Sequence, residues 1–322
     1  MGYHNEKLFA LMNFDGTTFN TFHAPPGLVG VPEAYDFAIE HTFGKSALEL
    51  FHGPIGGFQS QEPGEIVDLI AHHARREGLK ISCFPTRQDA VTALVDSKLS
   101  TMLLNISPEW PLPYQGVNEF FTLVEMGELP VDVGIATSGH DKFLARVFEV
   151  NGLELPNVLV SSDAIRGTLP PHRPHFKPFP FQIAQVHKLL LEKHGMQSSI
   201  RDKRGYFTGR NGIKPYMAFI GDNPYKDGGL AASSRISYIH VPNEYPKFVS
   251  DPLKAQFRIE NFFDLIDLLE NNREKIRLGA TWTEVLFGVP DSEFFRPLVG
   301  EQRPYQKWLR NSQDPFLEGI FP

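Results

Sequence analysis

Short apolar segments that end directly in polar residues are the feature that most restricts how this chain folds. The first, residues 7–14, shows no helical periodicity and runs into the turn-forming sequence at 15–18. A run of this kind is typical of a strand buried on both faces of a parallel sheet. Similar segments follow at 131–137, 157–161, 216–220 and 236–241, and amphipathic stretches alternate with them. This alternation predicts an α/β fold with a largely parallel sheet.

Helical periodicity dominates the segment between the first and second predicted strands. Residues 65–79 and 86–99 each place their apolar side chains on one face, as amphipathic helices do. We therefore predict a mainly helical domain inserted into the α/β core. The predicted boundaries are 1–20 and 112–270 for the core, 21–111 for the inserted domain, and 271–322 for a helical, aromatic C-terminal extension.

Composition narrows the classes of partner. The 31 Lys and Arg residues against 38 Asp and Glu give a net charge of −7, which argues against a general nucleic-acid binder. The single cysteine, Cys83, favours a reducing compartment. No segment approaches the roughly 20 apolar residues of a membrane span, and the start lacks a signal-peptide pattern. We expect a cytoplasmic protein with neither nucleic-acid nor membrane partners, and its oligomeric state stays open.

Polar residues that suit phosphate chemistry follow four of the predicted strands. Taken alone, each is common as a turn or a helix cap. Taken together, they lie where α/β sheets bind ligands, outside the carboxyl ends of the strands. The four segments are Asn13-Phe14-Asp15-Gly16-Thr17, Thr137-Ser138-Gly139, Lys177-Pro178 and the segment from Gly221-Asp222 to Asp227.

These residue types supply what phosphoryl transfer needs. Carboxylate oxygens, here from Asp15, Asp222 and Asp227, are the hard ligands that Mg²⁺ prefers. An ammonium and a hydroxyl, from Lys177 and Thr137, neutralise and orient phosphate oxygens. Backbone N–H groups at the start of the helix after residue 139 favour an anion.

In this order, the four segments resemble the motifs of the haloacid dehalogenase-like (HAD) superfamily. Those motifs are Asp-x-Asp-Gly-Thr, a strand-terminal Thr or Ser, a Lys often followed by Pro, and Gly-Asp-x-x-x-x-Asp. The resemblance covers residues 7–20 and 112–245, and the inserted block is similar to the helical cap of many members. It implies a Rossmannoid parallel-sheet core, a helical cap, Mg²⁺ as cofactor and a small phosphorylated metabolite as substrate.

The resemblance also implies a role for each matching residue. Position 13 corresponds to the nucleophile, and Asp15 to the acid that protonates the leaving group and then activates water. Lys177 binds the phosphate and holds the nucleophile. The implied substrate-binding residues are Thr137, Ser138, Gly139 and Gly16, and the implied metal ligands are residue 13, Asp15, Asp222 and Asp227.

The chain departs from the family pattern at position 13, where the nucleophilic Asp is replaced by Asn13. A carboxamide is a poor nucleophile and lacks the charge that helps to bind a metal. Three explanations stay open: an engineered trap of an active phosphohydrolase, a natural replacement in a non-catalytic binding or assembly protein, or chemistry carried by another residue. In the second case, the aromatic tail at 304–321 would offer a partner surface.

A glycine-rich segment in the inserted domain is the candidate for substrate specificity. Residues 51–59 contain three glycines together with His52 and Gln59, so the backbone could approach a ligand closely. The alternative is a plain loop between helices. A second segment, the basic stretch 196–214, is interpreted as a mobile insertion or a subunit contact.

Overall fold

The computed structural model describes residues 7–59, 61–166, 177, 181–193, 216–224, 226–243 and 256–290. The predictions for the basic stretch 196–214 and for the aromatic tail at 304–321 lie outside the described residues. Within them, the chain divides into two compact units. Unit 1 comprises residues 7–20 and 113–290, and unit 2 comprises residues 21–112.

The described residues form eight strands and twelve helices. The strands are β1 (Leu8–Met12), β2 (Phe19–Asn20), β3 (Leu112–Pro113), β4 (Val131–Ala136), β5 (Val158–Val160), β6 (Met217–Gly221), β7 (Ser237–His240) and β8 (Gln256–Arg258). The helices are α1 (Val31–Phe43), α2 (Lys45–His52), α3 (Pro63–Glu77), α4 (Arg87–Asn105), α5 (Val117–Glu125), α6 (Asp141–Val150), α7 (Ser162–Arg166), α8 (Phe181–Lys193), α9 (Lys226–Ser234), α10 (Phe262–Asn271), α11 (Arg273–Arg277) and α12 (Trp282–Phe287).

Unit 1 is built on a six-stranded sheet in the order β5-β4-β1-β6-β7-β8. All five pairings are parallel, which confirms the predicted α/β fold with a parallel sheet. In the register of the central strand, Met12 pairs with Ile135 of β4 and with Ile220 of β6. The residues that follow these three strands therefore emerge side by side at one edge of the sheet.

The central strand β1 is buried along its whole length, and each of its five side chains is at most 2% exposed. Its apolar run reflects burial on both faces, as in other parallel sheets. The indole Nε1 of Trp282 in α12 donates to the backbone oxygen of Phe9 across 2.9 Å. Residues 282–287, within the stretch predicted as a C-terminal extension, thus pack on the core of unit 1.

Unit 2 contains helices α1 to α4 among its described residues. Helix α4 begins at a capping box, in which the Thr86 hydroxyl accepts from Asp89 N. Helix α3 ends at Gly78, whose φ of +67° is the left-handed conformation that glycine adopts easily. The buried faces match the expected periodicity and include Ile66 and Ile70 of α3 and Ala90, Val91, Leu94 and Val95 of α4.

Among the described residues, no helix is both long and apolar enough to cross a membrane. The expected cytoplasmic location stays a prediction.

Candidate functional site

The end of the central strand places Asn13 at the middle of a buried polar cluster. Its backbone N–H donates to the oxygen of Ile220 across 2.8 Å, which continues the sheet pairing one residue beyond β1. Its side-chain Nδ2 donates to Asp222 Oδ1 at 2.9 Å, and its Oδ1 accepts from Lys177 Nζ at 2.8 Å. Asn13 is thus in direct contact with two other predicted site residues, which lie 164 and 209 positions further along the chain.

The neighbours of Asn13 determine which way its carboxamide points. An ammonium donates and cannot accept, so the atom that faces Lys177 is the oxygen. The opposite atom, Nδ2, donates to the backbone oxygen of Asp15 at 2.8 Å as well as to Asp222. Each hydrogen of the amide therefore has an acceptor within the protein.

Lys177 forms a buried ion pair with Asp227. The distance from Nζ to Oδ1 is 2.7 Å, and the two side chains are 3% and 1% exposed. The second oxygen of Asp227 accepts from the backbone N–H of Asn223 at 3.1 Å. Both carboxylate oxygens of Asp227 are thus engaged by protein donors, and its predicted role as a metal ligand stays a prediction.

Asp222 follows β6 and accepts hydrogen bonds at both of its oxygens. The Thr17 hydroxyl donates to Oδ1 at 2.8 Å, and Asn243 Nδ2 donates to Oδ2 at 2.9 Å. Burial raises the pKa of Asp222 to about 7, and the nearby charge of Asp227 acts in the same direction. The donors on Thr17 and Asn13 and the charge of Lys177 lower this pKa in part.

The segment after β4 forms a tight turn beside Asp15. The Thr137 hydroxyl accepts from Gly139 N at 3.0 Å, and the Thr137 carbonyl accepts from Gln182 Nε2 at 2.6 Å. The Ser138 carbonyl accepts from the hydroxyl of Ser162 at 2.9 Å. A Cβ atom on Gly139 would lie 3.4 Å from both Asp15 Oδ2 and Thr137 Oγ1. The turn and Asp15 are therefore close neighbours at the same edge of the sheet.

Two residues that sequence reasoning did not single out help to hold this site together. Asn243, just after β7, donates to the carbonyl of Gly16 as well as to Asp222. Gln182, at the start of α8, holds the carbonyl of Thr137. The position of Asn243 directly after a strand was the available signal, but an Asn after a strand is also common in turns.

The predicted specificity residues His52 and Gln59 lie in unit 2. His52 Nε2 is 3.0 Å from Asp36 Oδ1, and Gln59 Nε2 donates to the carbonyl of Gly56 at 3.3 Å. Their role in substrate recognition stays a prediction.

The residues at the end of β1 do not fit Mg²⁺ in this arrangement. A cation needs oxygen lone pairs directed at it. Here an N–H group of Asn13, rather than an oxygen, is directed at both Asp15 O and Asp222 Oδ1. Among the described residues, no group of three or more His, Cys, Asp or Glu side chains is arranged to hold a metal ion.

Known structures share this architecture. A predicted phosphoglycolate phosphatase from Haemophilus somnus 129PT is 13% identical with a TM-score of 0.52, and the match covers 82% of this chain and 98% of that one. A HAD hydrolase of family IA, variant 3, from Entamoeba histolytica is also 13% identical with a TM-score of 0.52, covering 84% and 100%. No family model and no curated protein sequence matches the chain.

The sheet order, the strand-end cluster and these likenesses define the class of structure. The chain has the HAD-like fold, as the four sequence segments predict. At 13% identity the likeness establishes the fold, and the activity is argued below from the chain's own residues.

Proposed function

We propose that this chain is a HAD-type phosphohydrolase of small phosphorylated metabolites in a form that binds its ligand but turns it over poorly. The observation that carries the proposal is the contact between Lys177 Nζ and Asn13 Oδ1, 2.8 Å long, at the end of the central strand. This contact sets a buried ammonium beside the position of the nucleophile. The surrounding strand ends are where α/β sheets bind their ligands.

The phosphate would lie between Lys177 and the turn after β4. The hydroxyl of Thr137 and the N–H group of Ser138 lie next to the start of α6, where the helix dipole favours an anion. Asp15 is beside this turn, as the position of Gly139 shows. A carboxyl group there is in place to protonate the oxygen of a leaving group.

Asn13 accounts for poor turnover. With Asp at this position, a carboxylate oxygen would attack phosphorus as the bond to the leaving oxygen breaks, and Asp15 would supply the proton. Asp15 would then take a proton from the water that cleaves the aspartyl-phosphate. A carboxamide nitrogen or oxygen does not perform this attack. Mg²⁺ is expected as a cofactor of a form with Asp at position 13.

A second function, a phospho-ligand-binding or assembly protein without catalysis, is favoured by one observation. The amide hydrogens of Asn13 match the acceptors Asp15 O and Asp222 Oδ1, so the site is complete with Asn in place. A substitution that only removed the nucleophile would not need to donate hydrogen bonds to both of these acceptors. In this case, the chain binds a phosphorylated ligand or assembles with a partner, and it does not catalyse hydrolysis.

A metabolite screen separates the two functions. Hydrolysis of a panel of small phosphate esters is measured with Mg²⁺ for the chain as given, for Asn13→Asp, and for Asn151→Asp as a matched control outside the site. We expect a gain of two or more orders of magnitude for Asn13→Asp alone, since removing a catalytic group costs about that much or more. Adding Asp15→Ala to Asn13→Asp should abolish the gain.

The other outcomes are equally informative. Binding of phosphate esters by the given chain, without hydrolysis by Asn13→Asp, supports the binding protein and overturns the phosphohydrolase. If no version of the chain binds or hydrolyses any ester of the panel, both proposed functions are wrong.

A further inference from the structure

We infer that the Asn13 carboxamide substitutes for a divalent cation, so that the strand-end pocket of this chain has no cation requirement. The inference rests on the proposed function only for the identity of the ligand. Its basis is that one –NH₂ group bridges two oxygens from different strand ends, Asp15 O at 2.8 Å and Asp222 Oδ1 at 2.9 Å. A carboxamide has two N–H donors, and both are used here.

The contact between Lys177 and the oxygen of Asn13 fixes the orientation of the Asn13 amide. Lys177 Nζ donates to Asn13 Oδ1 at 2.8 Å and is itself held by Asp227 at 2.7 Å. Turning the amide over would set its –NH₂ group against the ammonium and its oxygen against two oxygens. A cation that replaced the bridge would have to break contacts on both sides of Asn13.

Asp222 is satisfied without a metal. Its Oδ1 accepts from Thr17 as well as from Asn13, and its Oδ2 accepts from Asn243. All three donors are neutral side chains. The buried ammonium of Lys177 is paired with Asp227, so the described contacts contain one balanced ion pair and an Asp222 carboxyl group that accepts three hydrogen bonds.

Replacing the Asn13 amide by a carboxylate removes the two N–H donors and places an additional oxygen among the acceptors. In Asn13→Asp, an oxygen would stand where Nδ2 stands, 2.8 Å from Asp15 O and 2.9 Å from Asp222 Oδ1. Three oxygens at such distances, two of them on carboxyl groups, repel one another unless a cation or a shared proton lies between them. Residue 13 therefore decides whether the pocket needs a divalent cation.

Binding of Mn²⁺ alone tests the inference without any phosphate ligand. Free Mn²⁺ is followed by electron paramagnetic resonance during titration of the given chain, of Asn13→Asp and of the control Asn151→Asp. We expect one bound Mn²⁺ per chain for Asn13→Asp and no specific binding for the other two. Binding of equal affinity by the given chain and Asn13→Asp, or no binding by a folded Asn13→Asp, would overturn the inference.

A second measurement uses the given chain alone and does not depend on how the variant folds. A ligand that binds the folded state raises the melting temperature of a protein. Because we infer that this pocket does not bind a divalent cation, an excess of Mg²⁺ should leave the melting temperature unchanged. A rise of several degrees on addition of Mg²⁺, reversed by EDTA, contradicts the inference.

Titration with inorganic phosphate, by calorimetry in EDTA and again in Mg²⁺, separates the inference from the proposed function. We expect the given chain to bind phosphate equally in both, and Asn13→Asp to bind it more tightly with Mg²⁺. Absence of phosphate binding in every sample, with the Mn²⁺ result as expected, counts against the proposed ligand and leaves the role of Asn13 standing. Tighter phosphate binding by the given chain in Mg²⁺ counts against the role of Asn13.

Discussion

The ammonium of Lys177 lies 2.7 Å from Oδ1 of Asp227, and both side chains are almost fully excluded from solvent. The two residues are 50 positions apart, so their pairing depends on the fold rather than on local sequence. Removing one partner of such a pair leaves an uncompensated buried charge. The pair therefore holds Lys177 beside Asn13.

The first prediction tests this pair. Lys177→Met should lower the free energy of unfolding by about 3–5 kcal/mol, measured by urea denaturation, because Asp227 loses its counter-charge. Adding Asp227→Asn should recover a large part of the loss. Arg146→Met, which breaks the exposed Arg146–Glu149 pair, is the control and should cost at most about 1 kcal/mol. Equal losses for Lys177→Met and Arg146→Met would show that the buried pair contributes no more to the free energy of unfolding than an exposed pair does.

The second prediction concerns Gly221, the last residue of β6. A Cβ atom at this position would overlap the carboxylate of Asp227, whereas at Gly139 the nearest atom is the flexible end of Leu144, 2.9 Å away. Gly221→Ala should therefore displace Asp227 from Lys177 and destabilise the chain by roughly 1–3 kcal/mol, the usual range for overpacking. Urea denaturation should show a smaller loss for Gly139→Ala. A Gly221→Ala variant as stable as the given chain contradicts the crowding.

Hydrophobic periodicity made most of unit 1 predictable. The predicted strand at 131–137 corresponds to β4 (Val131–Ala136), and the helix predicted after residue 139 corresponds to α6 (Asp141–Val150). Such patterns are informative because they record which side chains are buried. Strand β8 was not predicted, since three residues, Gln256–Arg258, carry one apolar side chain and no apolar run.

The contents of the site were more predictable than its contacts. The four motif-like segments identified Asn13, Lys177 and Asp222, and the structure places the last two in contact with Asn13. Lys177 itself lies between α7 and α8 rather than at the end of a described strand. The spacing of residues along the chain does not show which side chains of different elements meet in the fold. It therefore could not show that Asp227 pairs with Lys177 or that Asn243 donates to Asp222. The direction of the Asn13 amide likewise depends on neighbours that only the folded chain supplies.

The third prediction concerns Asn243, which links the loop after β1 to the end of β6. Asn243→Ala removes the donor to Gly16 O and to Asp222 Oδ2 and leaves both acceptors short of a partner. A loss of about 1–3 kcal/mol in the free energy of unfolding is expected for unsatisfied buried groups. Asn272→Ala, which removes a local bond to Leu268 O, is the control and should cost less. A larger loss for the control would contradict the link.

The last prediction is a pH dependence that comes from Asp222. Burial raises the pKa of this carboxyl from 3.8 to about 7 in the folded chain. Between these two values the folded chain holds a proton that the unfolded chain has released. The folded chain therefore binds more protons in this interval, and the contribution of Asp222 to stability falls as pH rises from about 4 to 7 and is constant above.

Urea denaturation from pH 5 to pH 8 measures this slope. Asp222→Asn removes the titrating group, so its unfolding free energy should fall less steeply with pH than that of the given chain, whatever its absolute stability. Asp267→Asn, an exposed position on α10, should keep the original slope. An Asp222→Asn variant with the full slope would mean that another buried group carries the pH dependence.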